Sequence, residues 1–150
     1  MPRHTEARFS PFTPAQLYAL VIDVETYPEF LPWCRAARII RREESSFFGE
    51  LVISFKHITE RYISKVTGHP DAAEPCIEVT LVSGPFEYLT NHWRFEPTEG
   101  GTTIHLMLDF KFRSRILETL IGGLFGRASE KMTRAFMQRA ETLYAPTKAS

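Results

Sequence analysis

Residues 114–144, SRILETLIGGLFGRASEKMTRAFMQRAETLY, decide the fold of this 150-residue chain. Apolar residues recur there every three or four positions, which is the spacing of one long amphipathic α-helix. They are Leu117, Leu120, Ile121, Leu124, Phe125, Ala128, Met132, Ala135, Phe136, Ala140 and Leu143. Gly122, Gly123 and Gly126 lie near the start of this helix, where we predict a flap or hinge; a kink or a close approach to the sheet is the structural alternative.

The chain from about Arg35 to Phe112 has the alternating apolar and polar pattern of β-strands. The alternation predicts strands over residues 47–55, 57–67, 76–82, 88–95 and 102–112, a sixth over 35–42, and an edge strand over 3–9. Short turns such as Ser83-Gly84-Pro85 imply antiparallel neighbours. We therefore predict one α+β domain, residues 1–150, in which the long helix covers a curved antiparallel sheet and leaves an apolar cavity.

A second helix is predicted near the N-terminus. Thr13 is a good N-cap, Pro14 suits the first helical position, and Gln16 completes a capping box. We expect this helix to end at Tyr27-Pro28. The segment that follows, residues 27–34, is rich in aromatic residues and proline and forms either a rim of the cavity or a plug at one end of the sheet.

The chain has no net charge, but its charges are unevenly distributed. Residues 1–110 hold 10 Lys and Arg against 15 Asp and Glu, whereas residues 111–150 hold 8 against 3. The basic residues of the last helix include Arg127, Lys131, Arg134 and Arg139. They suit an anionic membrane surface or the RNA of a ribosomal subunit, or they form an ordinary solvated face.

The sequence has no phosphate loop, G-x-G-x-x-G or H-E-x-x-H motif, and its five histidines are scattered. Cys34 and Cys76 form no metal pattern, so we expect two reduced core cysteines. The N-terminus has no signal-type apolar stretch, and no run is long enough to span a membrane. We therefore expect a cytoplasmic protein that is at most peripheral at the inner membrane.

Tyr88, Thr90, His92 and Arg94 share one face of a predicted strand. On the cavity side, His92 would serve as a base and Arg94 would stabilise an enolate. Alternation favours the opposite arrangement, with Leu89, Trp93 and Phe95 inside. We therefore expect this face to meet solvent and name no catalytic residue; the absence of enzymatic activity is an expectation that rests on the family resemblance described next.

Several motifs together resemble one known family. They are Thr13-Pro14 at a helix start, the Tyr-Pro-x-Phe-x-Pro-Trp-Cys segment from Tyr27 to Cys34, Gly84-Pro85-Phe86 leading to Trp93-Arg94-Phe95, and the final helix with Phe125, Met132, Ala135, Phe136 and Arg139-Ala140. Over residues 3–144 the chain resembles the coenzyme Q-binding START-like proteins, which are grouped with polyketide cyclases and the bacterial ribosome-association toxin. The resemblance implies a helix-grip fold whose tunnel binds ubiquinone or a similar polyisoprenoid lipid and supports respiratory electron transport.

The resemblance also implies which residues line the tunnel. We expect them to be Tyr27, Phe30, Leu31, Pro32, Trp33, Phe86, Trp93, Leu106, Leu108, Phe110, Leu117, Leu120, Ile121, Leu124, Phe125, Met132 and Phe136. Asn91, Thr90 or Tyr88 would donate a hydrogen bond to a quinone head. We expect no metal and no cofactor other than a bound prenylated quinone; a ribosome-binding toxin-like protein and a polyketide cyclase or dehydratase are the alternatives.

Overall fold

The structure is a computed structural model that describes residues 3–55, 58–122 and 125–144; the side chains at 55 and 120–129 lie outside the description. The strands are β1 (Arg3–Ser10), β2 (Cys34–Arg42), β3 (Ser46–Phe55), β4 (Ile58–His69), β5 (Cys76–Ser83), β6 (Phe86–Thr98) and β7 (Gly101–Phe112). The helices are α1 (Pro14–Ile22), a 3₁₀ helix (Val24–Glu29), α2 (Arg115–Gly122) and α3 (Phe125–Tyr144).

The strands form one antiparallel sheet in the order β1-β7-β6-β5-β4-β3-β2. Strands β2 to β7 follow one another across the sheet, and β1 pairs with β7 at the far edge, so β1 and β2 are the two edge strands. Register shifts place an extra residue in β2, β5 and β6, which adds local bends to the sheet. The predicted strands, the curved antiparallel sheet and the α+β helix-grip class are confirmed.

The start of α1 is as predicted, but its end is not. Thr13 accepts a hydrogen bond from the amide of Gln16, and the Gln16 side chain accepts one from the amide of Thr13, which is a complete capping box. The predicted end at Tyr27-Pro28 is wrong, because α1 already ends at Ile22. Asp23 leaves the helical conformation, and its carbonyl accepts bonds from the amide and hydroxyl of Thr26, so the chain continues as a 3₁₀ helix.

The predicted C-terminal helix is described as two segments, α2 and α3, and residues 123–124 between them lie outside the description. The buried residues of α3 include Thr133, Phe136 and Ala140, spaced at three and four positions as the amphipathic pattern predicts. Among the described side chains of α2, Leu117 is buried. Each helix thus presents an apolar face to the protein interior.

The interior consists of two core clusters. The main core cluster, beneath α1 and α3, contains Leu17, Leu20, Val21, Val24, Leu31, Cys34, Phe47, Leu51, Val66, Ile77, Trp93, Phe95, Ile104, Leu106, Phe136 and Ala140. The small core cluster, beside α2, contains Phe86, Leu89, Phe112 and Leu117. Tyr62 packs against both clusters and so lies at their boundary.

Two polar contacts fasten α3 over the main core cluster. The Thr133 hydroxyl donates to Glu6 Oε2 on β1 at 2.7 Å, and the Arg139 guanidinium donates to Glu29 Oε1 at 2.8 Å. Arg139 also lies over the ring of Phe30, 5.3 Å from its centroid. These contacts connect α3 to both the edge strand β1 and the 3₁₀ helix.

Candidate ligand-binding cavity

A cavity of about 160 Å³ lies between the sheet and α3, where the two core clusters meet. Its wall comes from the 3₁₀ helix and the segment that follows it, from β2 to β7, and from α3. The lining residues are Tyr27, Leu31, Trp33, Cys34, Leu51, Ile53, Tyr62, Val79, Phe86, Leu89, Asn91, Trp93, Leu108, Phe110, Phe112, Met132 and Phe136. The cavity therefore occupies the seam between the main and the small core cluster.

Aromatic rings in contact with one another form much of the wall. Phe136 of α3 meets Tyr27 and Trp93 edge to face, with ring centroids 5.2 Å and 5.1 Å apart. On the other side, Phe86 stacks on Phe112 at 4.9 Å and meets Tyr62 edge to face at 5.3 Å. Such ring pairs add specific attraction to the burial of apolar area, so they hold the wall in a defined shape.

Most polar groups on this wall are already engaged within the protein. The Asn91 amide donates to the carbonyl of Met107 at 2.8 Å and accepts a bond from the Trp93 indole at 2.9 Å. The Tyr27 hydroxyl donates to the carbonyl of Val21, and the Cys34 thiol lies 3.6 Å from the carbonyl of Ala36. The polar atoms of these residues thus serve mainly to stabilise the wall.

The wall carries no charge. Its lining residues, as far as the structure describes the chain, include no Lys, Arg, His, Asp or Glu. Burial raises the pKa of the Tyr27 and Tyr62 phenols and raises the pKa of the Cys34 thiol to about 11. All three groups are neutral at physiological pH, so the cavity suits a neutral and largely apolar ligand.

Nine of the seventeen residues expected to line a tunnel lie on this wall: Tyr27, Leu31, Trp33, Phe86, Trp93, Leu108, Phe110, Met132 and Phe136. Their contact with a ligand stays a prediction.

Phe30, Pro32, Leu106 and Leu117 are not on the wall. Phe30 packs behind Tyr27 and Phe136 beneath Arg139, and Pro32 is exposed. Leu106 is buried in the main core cluster, and Leu117 is buried in the small core cluster.

The remaining predictions about the tunnel fall outside the described side chains. They concern Leu120, Ile121, Leu124 and Phe125 as lining residues and Gly122, Gly123 and Gly126 as a flap. Asn91, expected only as a donor to the quinone head, lies on the wall, and seven lining residues were not predicted: Cys34, Leu51, Ile53, Tyr62, Val79, Leu89 and Phe112. The signal was present for Leu89, which alternates in phase with Trp93, and for Phe112, which alternates in phase with Phe110.

The residues considered for acid–base chemistry lie on the outer face of the sheet. Arg94 is paired with Glu74, and His92 Nε2 lies 4.0 Å from Glu78 Oε1. Neither residue lines the cavity, so the cyclase hypothesis loses the two side chains that motivated it. Tyr88 and Thr90 are also absent from the wall, which leaves Asn91 of the three proposed quinone donors.

The described residues contain neither a candidate metal-ion site nor a candidate membrane-spanning helix. Among them, no group of three or more His, Cys, Asp or Glu side chains is arranged to hold a metal ion. Of the helices that the structure describes, none combines the length and apolar character needed to cross a bilayer.

An antiparallel sheet that grips a C-terminal helix around an apolar cavity defines the helix-grip, START-like class of proteins. A START superfamily protein from Mycobacterium smegmatis has the same fold, with a TM-score of 0.78 at 19% identity, covering 94% of this chain and 98% of that one. The chain belongs to the family described as polyketide cyclase / dehydrase and lipid transport, whose profile matches residues 10–137. The recognition of this family from the sequence is confirmed.

Two kinds of named relative are similar to this chain. The ribosome association toxin RatA of Rickettsia prowazekii is 43% identical over 140 residues, which is 93% of this chain and 94% of the toxin. The mitochondrial coenzyme Q-binding protein COQ10 of Dictyostelium discoideum is 34% identical over 134 residues, which is 86% of this chain and 64% of that protein. One relative is named for binding a prenylated quinone and the other for associating with ribosomes.

Proposed function

We propose that this protein binds ubiquinone, or a similar polyisoprenoid lipid, in the cavity between the sheet and α3 and acts as a carrier that supports respiratory electron transport. One observation carries the proposal: the cavity is uncharged and walled mainly by aromatic and aliphatic side chains. The similarity to a coenzyme Q-binding protein supports the same ligand class. In this proposal the protein is not an enzyme and needs no metal or other cofactor.

The size of the cavity limits which part of such a ligand fits. An engineered apolar cavity of about 150 Å³ stays dry and takes up benzene. A cavity of about 160 Å³ therefore holds one ring, or one to two isoprene units, but not a complete polyprenyl quinone. Drug-sized ligands usually occupy about 300–1,000 Å³. Full burial of a long tail consequently requires the two core clusters to separate further along their seam.

Binding is expected to be driven by the hydrocarbon. Each CH₂ group that leaves water contributes about 0.8 kcal/mol, so even a short prenyl segment supplies several kcal/mol. The wall has no fixed charge that would reject a neutral ring. A free fatty acid would instead lose the hydration of its carboxylate without gaining a cationic partner on the wall.

The proposal is tested by extracting protein purified from a ubiquinone-producing host and identifying the lipid by mass spectrometry. Leu108→Trp fills the cavity from β7, and Met107→Trp is the matched control on the opposite face of the same strand. We expect the wild type and the control to retain a prenylated quinone, and Leu108→Trp to lose most of it. Folded wild-type protein that yields no prenyl lipid, and takes none up from vesicles, would refute the carrier function.

Ribosome association is a second candidate, favoured by the 43% identity to a ribosome association toxin along nearly its whole length. Lys131 and Arg134 are exposed on α3 and suit RNA phosphates. Arg139, which we had grouped with them, is held by Glu29 and Phe30 and is only 20% exposed. Arg127 lies outside the described side chains.

Co-sedimentation with ribosomal subunits at low and high salt tests this second candidate. We expect Lys131→Glu/Arg134→Glu to abolish binding and Leu108→Trp to leave it intact, because the cavity and the basic surface are separate. Peripheral contact with an anionic membrane also stays a proposal. Flotation with anionic and neutral vesicles tests it, and the same double variant should reduce binding to the anionic vesicles alone.

A further inference from the structure

Tyr62 differs from the other polar residues on the cavity wall. The hydroxyl of Tyr27, the amide of Asn91, the indole of Trp93 and the thiol of Cys34 each contact a partner within the protein. The Tyr62 hydroxyl makes no hydrogen bond within residues 3–55, 58–122 and 125–144. A phenol at an apolar wall that lacks a partner is costly unless something else supplies the acceptor.

The hydroxyl is not sealed inside the protein. Among the described side chains, the fully enclosed polar atoms that lack a partner are Asp109 Oδ1 and Arg139 Nε, and the Tyr62 oxygen is not one of them. Tyr62 lines the cavity and lies at the boundary of the two core clusters. The Tyr62 side chain therefore borders space that a ligand can occupy, and its hydroxyl is not fully enclosed by protein.

The position of the Tyr62 ring is fixed by its neighbours. The ring meets Phe86 edge to face, with centroids 5.3 Å apart at 87°. Gly84, which has a φ of +149°, backs it closely, since a Cβ atom on Gly84 would lie 2.5 Å from Cβ of Tyr62. A donor that is held in place before binding loses little entropy when the ligand arrives.

The chemistry of the surroundings narrows the ligand class. Burial, and to a lesser degree the nearby Cys34 thiol, raises the pKa of Tyr62, so the group is a protonated donor at physiological pH. The uncharged wall disfavours an anionic acceptor. A single water is also a poor occupant, because it needs two to four polar partners and the wall supplies few free ones.

We propose that Tyr62 is the polar anchor of the cavity and donates a hydrogen bond to a carbonyl oxygen on the ring of a neutral, prenylated ligand. The inference rests on the proposed lipid-binding function and adds to it a preference for one kind of ligand. The site distinguishes an oxygen-bearing ring, such as a quinone, from a prenyl hydrocarbon of similar size.

Tyr62→Phe tests the anchor, because it removes the hydroxyl and keeps the ring against Phe86. Tyr27→Phe is the matched control, since it removes a hydroxyl of the same cavity that is already bonded to Val21. The probes are a ubiquinone with two isoprene units and geranylbenzene, which carries two isoprene units on a ring without oxygen. Dissociation constants for both probes are measured for the wild type and both variants by isothermal titration calorimetry.

We expect Tyr62→Phe to weaken quinone binding about tenfold, the effect of one lost hydrogen bond, and to leave geranylbenzene binding unchanged. Tyr27→Phe should preserve the wild-type ratio between the two probes. Equal quinone affinity in Tyr62→Phe and the wild type would overturn the anchor and leave the carrier function standing. A wild type that binds neither probe would overturn both.

An infrared measurement on the wild type keeps the inference testable if Tyr62→Phe fails to fold. A hydrogen bond lowers the stretching frequency of a quinone carbonyl. We expect the bound quinone to show one carbonyl band shifted below its position in hexane. An unshifted band in the bound quinone would contradict the anchor.

Discussion

The main and the small core cluster lie against the same sheet but differ in how tightly they are covered and held. The main cluster is covered by α1 and α3, includes fully enclosed residues such as Phe95 and Ala140, and is fastened by the contacts of Thr133 and Arg139. Among the described side chains, the small cluster has four buried members, beside the eight-residue helix α2. The cavity lies where they meet. One cluster thus supplies stability, while the seam with the other provides space for a ligand.

The largest effect is expected for Phe→Ala substitutions, one in each cluster, which compare the free energy of unfolding that each cluster contributes. Phe95→Ala in the main cluster should cost about 3–5 kcal/mol, because Phe95 is 0% exposed and its surroundings cannot close over the lost ring. Phe112→Ala in the small cluster should cost about 3 kcal/mol, the lower end of that range, because Phe112 already borders the cavity. Urea denaturation gives both free energies of unfolding. Equal losses would mean that the two clusters are equally well packed.

A smaller effect is expected at the turn between β5 and β6. Gly84→Ala should cost about 1–3 kcal/mol, since Gly84 has a positive φ and its new Cβ would collide with Tyr62. The variant should also weaken quinone binding, because it shifts Tyr62 away from the position in which its hydroxyl would reach the quinone. Thermal melting and quinone titration check the two effects. Gly100→Ala is the control, since Gly100 also has a positive φ but lies far less close to any neighbour.

The smallest expected effect concerns acid stability on the main-cluster side. Burial would raise the pKa of Glu6, but hydrogen bonds from Thr133, Arg8 and His4 outweigh it, and the pKa lies below the ordinary value of 4.5. The resulting stabilisation is complete above the unfolded-state pKa and is lost as the pH falls through the folded-state pKa. Glu6→Gln should therefore flatten the decline of stability below about pH 4.5.

Thr133→Val provides an intermediate case for the same measurement, because it removes one donor to Glu6 and keeps the others. Melting temperatures between pH 7 and pH 3 distinguish the three proteins. A decline in Glu6→Gln as steep as in the wild type would show that Glu6 does not link pH to the packing of α3.

Much of the fold follows from the sequence because local patterns and tertiary packing agree. The alternation in β7 is continuous, and Ile104, Leu106 and Phe112 are buried as it predicts. The capping box at Thr13 fixes the start of α1 in the same way. The end of α1 was missed because Asp23 leaves the helix by a backbone turn that no proline or glycine announces.

The site could be predicted only in part. Alternation shows which residues point inward, yet it cannot show which of them border a space and which are packed solid. Leu106 and Leu108 illustrate this, because both point inward from β7 but only Leu108 lines the cavity. Tyr62 is a second example, since whether its hydroxyl finds a partner depends on how residues far apart in the sequence pack around it.

The exposed edge strand β2 has a consequence for the behaviour of the protein at high concentration. An open sheet edge presents unpaired amide and carbonyl groups that another chain can extend into a fibril. Along β2 the four arginines, Arg35, Arg38, Arg41 and Arg42, are all exposed, beside the apolar Ile40. Two such edges brought together would place like charges side by side, which disfavours edge-to-edge aggregation through β2.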